Sequence, residues 1–536
     1  MRRSLVGLGA FSLAFSFAIV ACVGDESPIS PGPSATDGGN DPDGGGGTDA
    51  PAKPTLDVTA PKSVSLGAQA SVTLDVTIVR GGSLSGPIKV SPVGLPGGVT
   101  AEPITIAADQ TKGALTLTSS MMPTFGVVSA SVSAEAMDGS TSAKANVEVV
   151  VRGGVAALDT SFNGTGIVTD ANLIIAGAAI QSDGKIVFGG SARTGVAFPE
   201  NFAASRIGAD GKIDTTFGTN GVAKVQLGSV DPGFPAVRSV AVDASDAILL
   251  GGSASRTRMG VVKFDKNGVL DPTLGTKGIA PAESRGVRIF SRGANVFLLG
   301  FARAVIGGPP AVGRLVGSGF DGTFGTGGLA ADPSNDHYVS VYDATILADG
   351  KFVIAGVTGP IGGDEVGVVR RYNADGTSDA TFGTDGAYKV DQLDTREGID
   401  AVTAIDGGRI LAAGHQGPNG APFIHAILPN GKADGSFGSP LAPQGDANTN
   451  VTITTMTTDS EGRILLAGWG TLNGNSRPFL WRRTKNGAPD ASFNGGSALF
   501  FTQSFFDADS LPTYMAIDKY GRALLCTSRV VARIWL

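Results

Sequence analysis

The chain has 536 residues, 80 of them Gly, with only 17% charged residues and a formal net charge of -7. That length exceeds one ordinary domain, and a Gly share about twice the average with so few charges favours a turn-dense all-β protein. Acids and bases are interspersed, without the basic stripe that a phosphate backbone requires, so nucleic acid is not an expected partner.

Arg2 and Arg3 precede an apolar run from Leu5 to Val20, the charged and hydrophobic regions of a secretory signal. The run is too short for a comfortable transmembrane span. It ends in Ile19, Val20, Ala21 and Cys22, which resembles the lipobox of bacterial lipoproteins. The resemblance implies cleavage after Ala21, so that residues 1–21 are the signal peptide, with diacylglycerylation of the Cys22 thiol and often acylation of the new amino terminus. Each buried methylene contributes about 0.8 kcal/mol, so two or three acyl chains hold a protein to a lipid bilayer without spanning it. Val23 follows the cysteine where some lipoproteins carry an Asp that signals inner-membrane retention, which favours an outer-membrane lipoprotein, periplasmic or surface-exposed. Residues 22–54 read as a disordered Gly, Pro and Asp-rich linker with too few apolar residues to offset the entropy of ordering. Its DPDGGGGTD stretch lacks the ligand spacing and closing Glu of a calcium-binding EF-hand.

Residues 55–152 alternate apolar and polar positions: Val72, Leu74, Val76 and Ile78 share one strand face, Leu115 and Leu117 another, Val147 and Val149 a third. About seven short strands in roughly a hundred residues predict an Ig-like β-sandwich. The segment Gly94 to Asp109 resembles a turn common in bacterial Ig-like modules of surface proteins, and the chain has no Cys pair of the antibody type.

From residue 155 to 536 one pattern recurs. D-x-x-F-G-x-x-G turns begin at Asp159, Asp214, Asp271, Asp321, Asp379, Asp434 and Asp490, separated by 55, 57, 50, 58, 55 and 56 residues. The aromatic position holds Phe162, Phe217, Phe324, Phe382, Phe437 and Phe493, with Leu274 in the third copy; Asn163 and Asn494 replace the Gly in the first and last. A second signature recurs as DGKIVFGG, DAILLGG, NVFLLG, DGKFVIAG, GGRILAAG, EGRILLAG and GRALLCT. A third is a strand with an internal base, as in ASRIG, VVKFD, VGRLV, VVRRY, LWRRT and VARIWL, whereas HAILP at His425 lacks it.

Together these motifs resemble the delta-60 repeat family of secreted bacterial proteins, a family defined by its repeat rather than by a reaction. Four strands per repeat of this length point to blades rather than the shorter coils of a β-helix. The expected fold is therefore all-β, a seven-bladed β-propeller of about 55-residue repeats following the sandwich. Asp-Gly between apolar runs predicts a hairpin. In the D-x-x-F-G turn, the Asp is expected to accept backbone N–H bonds, the Gly to supply special φ, and the Phe to pack between sheets. Which strand is innermost, and so which blade the last strand completes, is left open by the sequence.

Up-and-down blades place the DG hairpin and the D-x-x-F-G turn on one face and the two variable connections on the other, which marks the second face for binding. Asp336, His337, Asp364, Glu365, Asp394, Arg396, His415 and Trp469 are the candidate ligand-binding residues there, and Glu397 and Asp400 could join them in a carboxylate cluster. The three His residues, at 337, 415 and 425, have no metal-ligand spacing. Scattered Gly-rich matches do not form a nucleotide loop or serine elbow, so no cofactor, metal or catalytic residue is expected. Cys526 lies in an apolar run and reads as a small buried hydrophobe. The expected function is a monomeric, non-catalytic binding or scaffold module for an extracellular glycan or protein; the alternative is a propeller enzyme, hydrolase or lyase, acting on glycan or peptide.

Overall fold

The structure is a computed structural model that describes residues 52–536 apart from 170–172, 193–200, 227–235, 255–258, 273–283, 293–294, 303–309, 317–318, 332–337, 360–364, 391–396, 417–420, 438–450, 473 and 503–511. Its described residues are all-β, broken only by two short 3-10 turns at Asp406–Gly408 and Asn494–Gly496. Among them no helix is long and apolar enough to cross a membrane. They divide into two units, one ending at Gly154 and one running from Val155 to Leu536.

The first unit is two sheets enclosing one core. One sheet is ordered Thr55–Thr59, Ser71–Gly81, Lys112–Ser119, Val99–Thr100; the other is ordered Ser63–Leu66, Ser142–Val151, Gly126–Ala136, Ile88–Val93, Ile104–Ile106. Strict alternation sends Leu74, Val76, Ile78, Leu115 and Leu117 inward against Val132, Ala134, Val147 and Val149. Nine strand segments result, where about seven were expected, partly because the stretch from Val99 to Ile106 is split between the two sheets.

The second unit contains seven sheets among its described residues. Their first strands are Leu173–Ile180, Ala236–Val242, Ser284–Arg292, Tyr338–Ile346, Glu397–Ile405, Val451–Thr458 and Pro512–Ile517. Each touches the first strands of both neighbouring sheets, and the seventh touches the first, so these seven strands form a closed inner ring. The sequence left this order open; it is the strand before the DG hairpin that is innermost.

Seven apolar clusters fill the seven interfaces between successive sheets. Phe202, Phe217 and Leu250 join the first sheet to the second, Leu480, Phe493 and Leu525 the sixth to the seventh, and Phe162, Phe188 and Tyr514 the seventh to the first. Because both faces of a sheet are covered, second strands such as Ile248–Ser253, Phe352–Thr358 and Arg522–Thr527 are buried along their whole length. Their near-continuous apolar sequence follows from that double burial. Each fully buried Phe contributes about 1.5–3 kcal/mol.

The short strand after the Phe-Gly turn is outermost, as with Val222–Gln226 on Asn201–Ile207. In the second and fifth sheets the corresponding residues lie in 273–283 and 438–450, outside the described residues. The third sheet carries an additional pairing of Gly319–Phe320. The outer strand of the seventh sheet is Ile167–Thr169, from the start of the unit, paired antiparallel to Val530–Trp535. The first Asp-Phe turn therefore serves the last sheet.

Every inner strand is bulged at the same place, between Ile175 and Gly177, Val237 and Ser239, Gly286 and Arg288, Val341 and Asp343, Ile399 and Ala401, Ile453 and Thr455, and Pro512 and Tyr514. The extra residue bends the strand and pushes a carbonyl toward the second strand. Opposite the bulge the second strand holds glycine in six sheets and Thr527 in the seventh; a Cβ at Gly414 would overlap the carbonyl oxygen of Gly398, and one at Gly468 that of Thr452.

Candidate functional site

At one end of the sheets the repeated residues are consumed by packing. The Asp214 carboxylate accepts the Thr216 N–H at 3.1 Å through one oxygen, while its other oxygen accepts from Arg206 Nε at 3.0 Å. The Arg206 guanidinium lies 4.8 Å from the centre of the Phe217 ring and donates to the Lys266 carbonyl in the turn of the next sheet. Arg371 makes the same three contacts, with Asp379, the Phe382 ring and the Pro429 carbonyl; Arg533 does so with Asp159, Phe162 and the Ala209 carbonyl. The base in the third strand thus binds acid, ring and neighbouring sheet at once, as a planar guanidinium can. The fifth sheet has Ala426 where the others have a base, and there Arg409 of the second strand reaches Asp434 at 3.1 Å.

Neighbouring sheets are also joined through their backbones. The N–H of Gly218 donates to the Asn267 carbonyl and that of Gly383 to the Asn430 carbonyl. Gly268, at φ +85°, lies against the Phe217 ring, where a Cβ would stand 2.9 Å from the ring edge. Both the positive φ and the close approach require glycine.

The opposite end of the sheets differs from repeat to repeat. Of the residues expected to bind there, Asp336, His337, Asp364, Asp394 and Arg396 lie outside the described residues, as does Cys22. Glu365, Glu397, Asp400 and His415 come together between the fourth and fifth sheets. His415 Nδ1 and Asp400 Oδ2 are 2.7 Å apart, with side chains 30% and 11% exposed. The Glu397 N–H donates to the Glu365 carbonyl at 2.8 Å, and the imidazole lies over Gly398. Asp400 and Glu397 belong to the bulged strand Glu397–Ile405 and are buried, not loop residues as the sequence implied. Trp469 occupies the position of His415 in the sixth sheet, since each follows the glycine opposite the bulge. It too lies in a strand, Ile464–Leu472, rather than opening a loop.

Burial alone would lower the His415 imidazole, but the Asp400 carboxylate beside it, with Glu365 beyond, raises it above its ordinary value. Burial and then the same Asp400 carboxylate push the Tyr342 phenol up to about 12. This corner of the ring is acidic and holds an oriented imidazole, which can receive a cationic or hydroxyl-bearing group. Among the described residues no group of three or more His, Cys, Asp or Glu is placed to hold a metal ion. His425 is elsewhere, its Nδ1 2.8 Å from the Tyr388 hydroxyl, and burial lowers it.

A second polar assembly is absent from the sequence reading. The residues just after the seven bulges are Gly177, Ser239, Arg288, Asp343, Ala401, Thr455 and Tyr514, and the polar ones are all buried. Arg288 pairs with Asp343, whose other oxygen accepts the Val402 N–H at 2.8 Å, and Ser239 donates to the Ile289 carbonyl at 3.1 Å. Burial lowers Arg288 to about 9, which leaves it cationic at neutral pH. Each polar residue alone is one position in a short strand; aligning six inner strands on their second-strand glycines, and the seventh on Thr527, would have exposed the series.

A protein-family model described as a domain of unknown function (DUF5122) β-propeller matches this chain three times, at residues 181–217, 347–382 and 460–493. Each match begins at the turn before a second strand and ends on Phe217, Phe382 or Phe493, so it covers the second and third strands and the Asp-Phe turn. The chain is a β-propeller-like repeat protein. A search of curated proteins gave no match.

Proposed function

We propose that residues 155–536 form a seven-bladed β-propeller behind an Ig-like sandwich, and that the protein is an outer-membrane lipoprotein held to the bilayer by acylated Cys22. It acts there as a non-catalytic binding or scaffold module for an extracellular glycan or protein. The observation that carries this reading is the contrast between the two ends of the sheets. One end repeats the same acid, base and aromatic packing. At the other, the position after the bulge-facing glycine holds Ser191, Val357, His415 or Trp469, and side-chain diversity on a fixed scaffold is what recognition uses.

Binding of the mature chain to arrays of envelope glycans and secreted proteins tests it. Substitution of His415 or Trp469 should abolish a hit while leaving the thermal transition in place. Membrane fractions test the anchor: Cys22→Ala should release the protein, and continued membrane association would sink that part. The Asp400 and His415 pair favours the second reading, an extracellular hydrolase or lyase, because a carboxylate that orients an imidazole is a common base arrangement. Turnover of a glycan or peptide that is lost on changing His415, Asp336 or His337 would replace the scaffold reading.

A further inference from the structure

The sandwich unit has an unfinished sheet edge. Strand Lys112–Ser119 pairs with Ser71–Gly81 from Lys112 to Thr118, but on its other side it pairs only at Thr118 and Ser119, with Thr100 and Val99. After Thr100 the chain leaves this sheet, and Ile104–Ile106 pairs with Ile88–Val93 in the other. Between the departing segment and the strand it abandons lies an open groove of about 320 Å³, whose lining includes Ala101, Glu102, Ile104, Ala114 and Thr116.

Backbone alternation fixes what this groove offers. Ile78 N–H donates to Thr111 O, and Ser119 N–H to Ala70 O. Residues 113, 115 and 117 therefore also direct their N–H and C=O groups toward Ser71–Gly81, while Lys112, Ala114 and Thr116 direct theirs into the groove. No strand pairs with those three among the described residues.

We propose that this edge receives an extended peptide of a partner protein as an added strand, with a Lys or Arg side chain on its outward face. A row of alternating donors and acceptors at strand spacing is complementary to another strand. Small side chains at Ala114, Thr116 and Thr118 leave room above the edge for the side chains of the incoming strand. The charge preference comes from Asp75, directly opposite Ala114 in the register, and from Glu102 across the groove. Neither acid has an ion-pair partner among the described residues, and Ala114 is short enough for a long basic side chain to lie across it toward Asp75. A second copy of this chain is the poorer occupant, because Lys112 at the end of the edge is the type of residue that blocks edge-to-edge self-pairing.

The test uses the whole mature chain and two fluorescein-labelled heptapeptides, Thr-Val-Thr-Lys-Thr-Val-Thr and its counterpart with Glu in place of Lys. Anisotropy should show the Lys peptide binding about tenfold more tightly than the Glu peptide. Hydrogen exchange should show new protection confined to residues 112–118. Ala114→Pro removes an edge N–H but none of the ladder to Ser71–Gly81, and should abolish binding. The double change Asp75→Asn and Glu102→Gln leaves the backbone intact and should erase the preference for Lys. Protection at another edge, equal affinity for both peptides, undiminished binding by Ala114→Pro, or self-association through residues 112–116 would each overturn the proposal.

Discussion

Asp159 and Arg533 stand 374 positions apart in the chain, yet Arg533 Nε donates to Asp159 Oδ2 at 2.8 Å, and Arg522 Nη1 donates to the same oxygen at 2.8 Å. The carboxylate is fully buried and both guanidiniums nearly so. Around this contact, Arg533 N–H donates to Gly166 O and Trp535 N–H to Ala157 O, so the first and last segments of the ring are locked at one seam.

Removing that carboxylate leaves two buried cations without their shared acceptor. Loss of one partner of a buried pair typically costs about 3–5 kcal/mol. Asp159→Ala should therefore lower the urea midpoint of the second unit by a corresponding amount. A change no larger than that of an exposed substitution would show that the seam does not depend on the ion pair.

Steric demand at the bulge gives a second expectation. Gly414→Ala or Gly468→Ala forces a methyl into a carbonyl oxygen of the inner strand, an overpacking that costs about 1–3 kcal/mol. Gly319→Ala is the control, because nothing stands within 4 Å of its added Cβ. Thermal unfolding of the three variants should separate the first two from the third.

Acid should loosen the ring between pH about 4 and about 2. Burial alone would raise Asp214, but hydrogen bonds from Thr216, the Arg206 guanidinium and Lys185 hold it at about 2. Asp379 is likewise held below the carboxylate range: burial opposes this, but Lys351, Thr381 and Arg371 prevail. A depressed folded value means stabilisation that is present above the ordinary carboxylate range and lost as pH falls through the folded value. Urea midpoints measured across this window should drop, and Asp214→Asn should make the drop shallower.

The histidines provide opposite signs. His415 is raised by Asp400, so its contribution is full below the ordinary value of 6.5 and is lost as pH climbs through its folded value. His425 is lowered by burial, so its neutral form is favoured and stability falls as pH drops below 6.5 toward its folded value. With only three His in the chain, NMR of the imidazole Cε1 protons can follow each, and His415 should titrate above His425. The reverse order would remove Asp400 as the controlling neighbour.

The sequence made the turns legible because their chemistry is local: Asp214 bonds to Thr216, two residues away, and Gly268 needs its positive φ wherever the sheet lies. The six spacings between the seven turns likewise exposed the repeat. The role of Arg206 was not legible, because its third contact, the Lys266 carbonyl, lies 60 positions on, in another sheet. Arg288, Asp343 and Tyr514 were hidden for the same reason, since they converge only when first strands from different repeats form a ring. Asp400 and His415 were both noticed, but as loop residues. Their pairing depends on the bulge in Glu397–Ile405, and one extra residue in a strand leaves no periodic signal.

The seam also bears on how the molecule is made. The outer strand of the seventh sheet, Ile167–Thr169, is synthesised before any other described strand of the ring, and its partner Val530–Trp535 after all the others. Six sheets can thus be complete while the earliest strand still lacks its partner. A nascent chain would expose that edge until Val530–Trp535 and Arg533 have been made, so closure of the ring waits on its last strand.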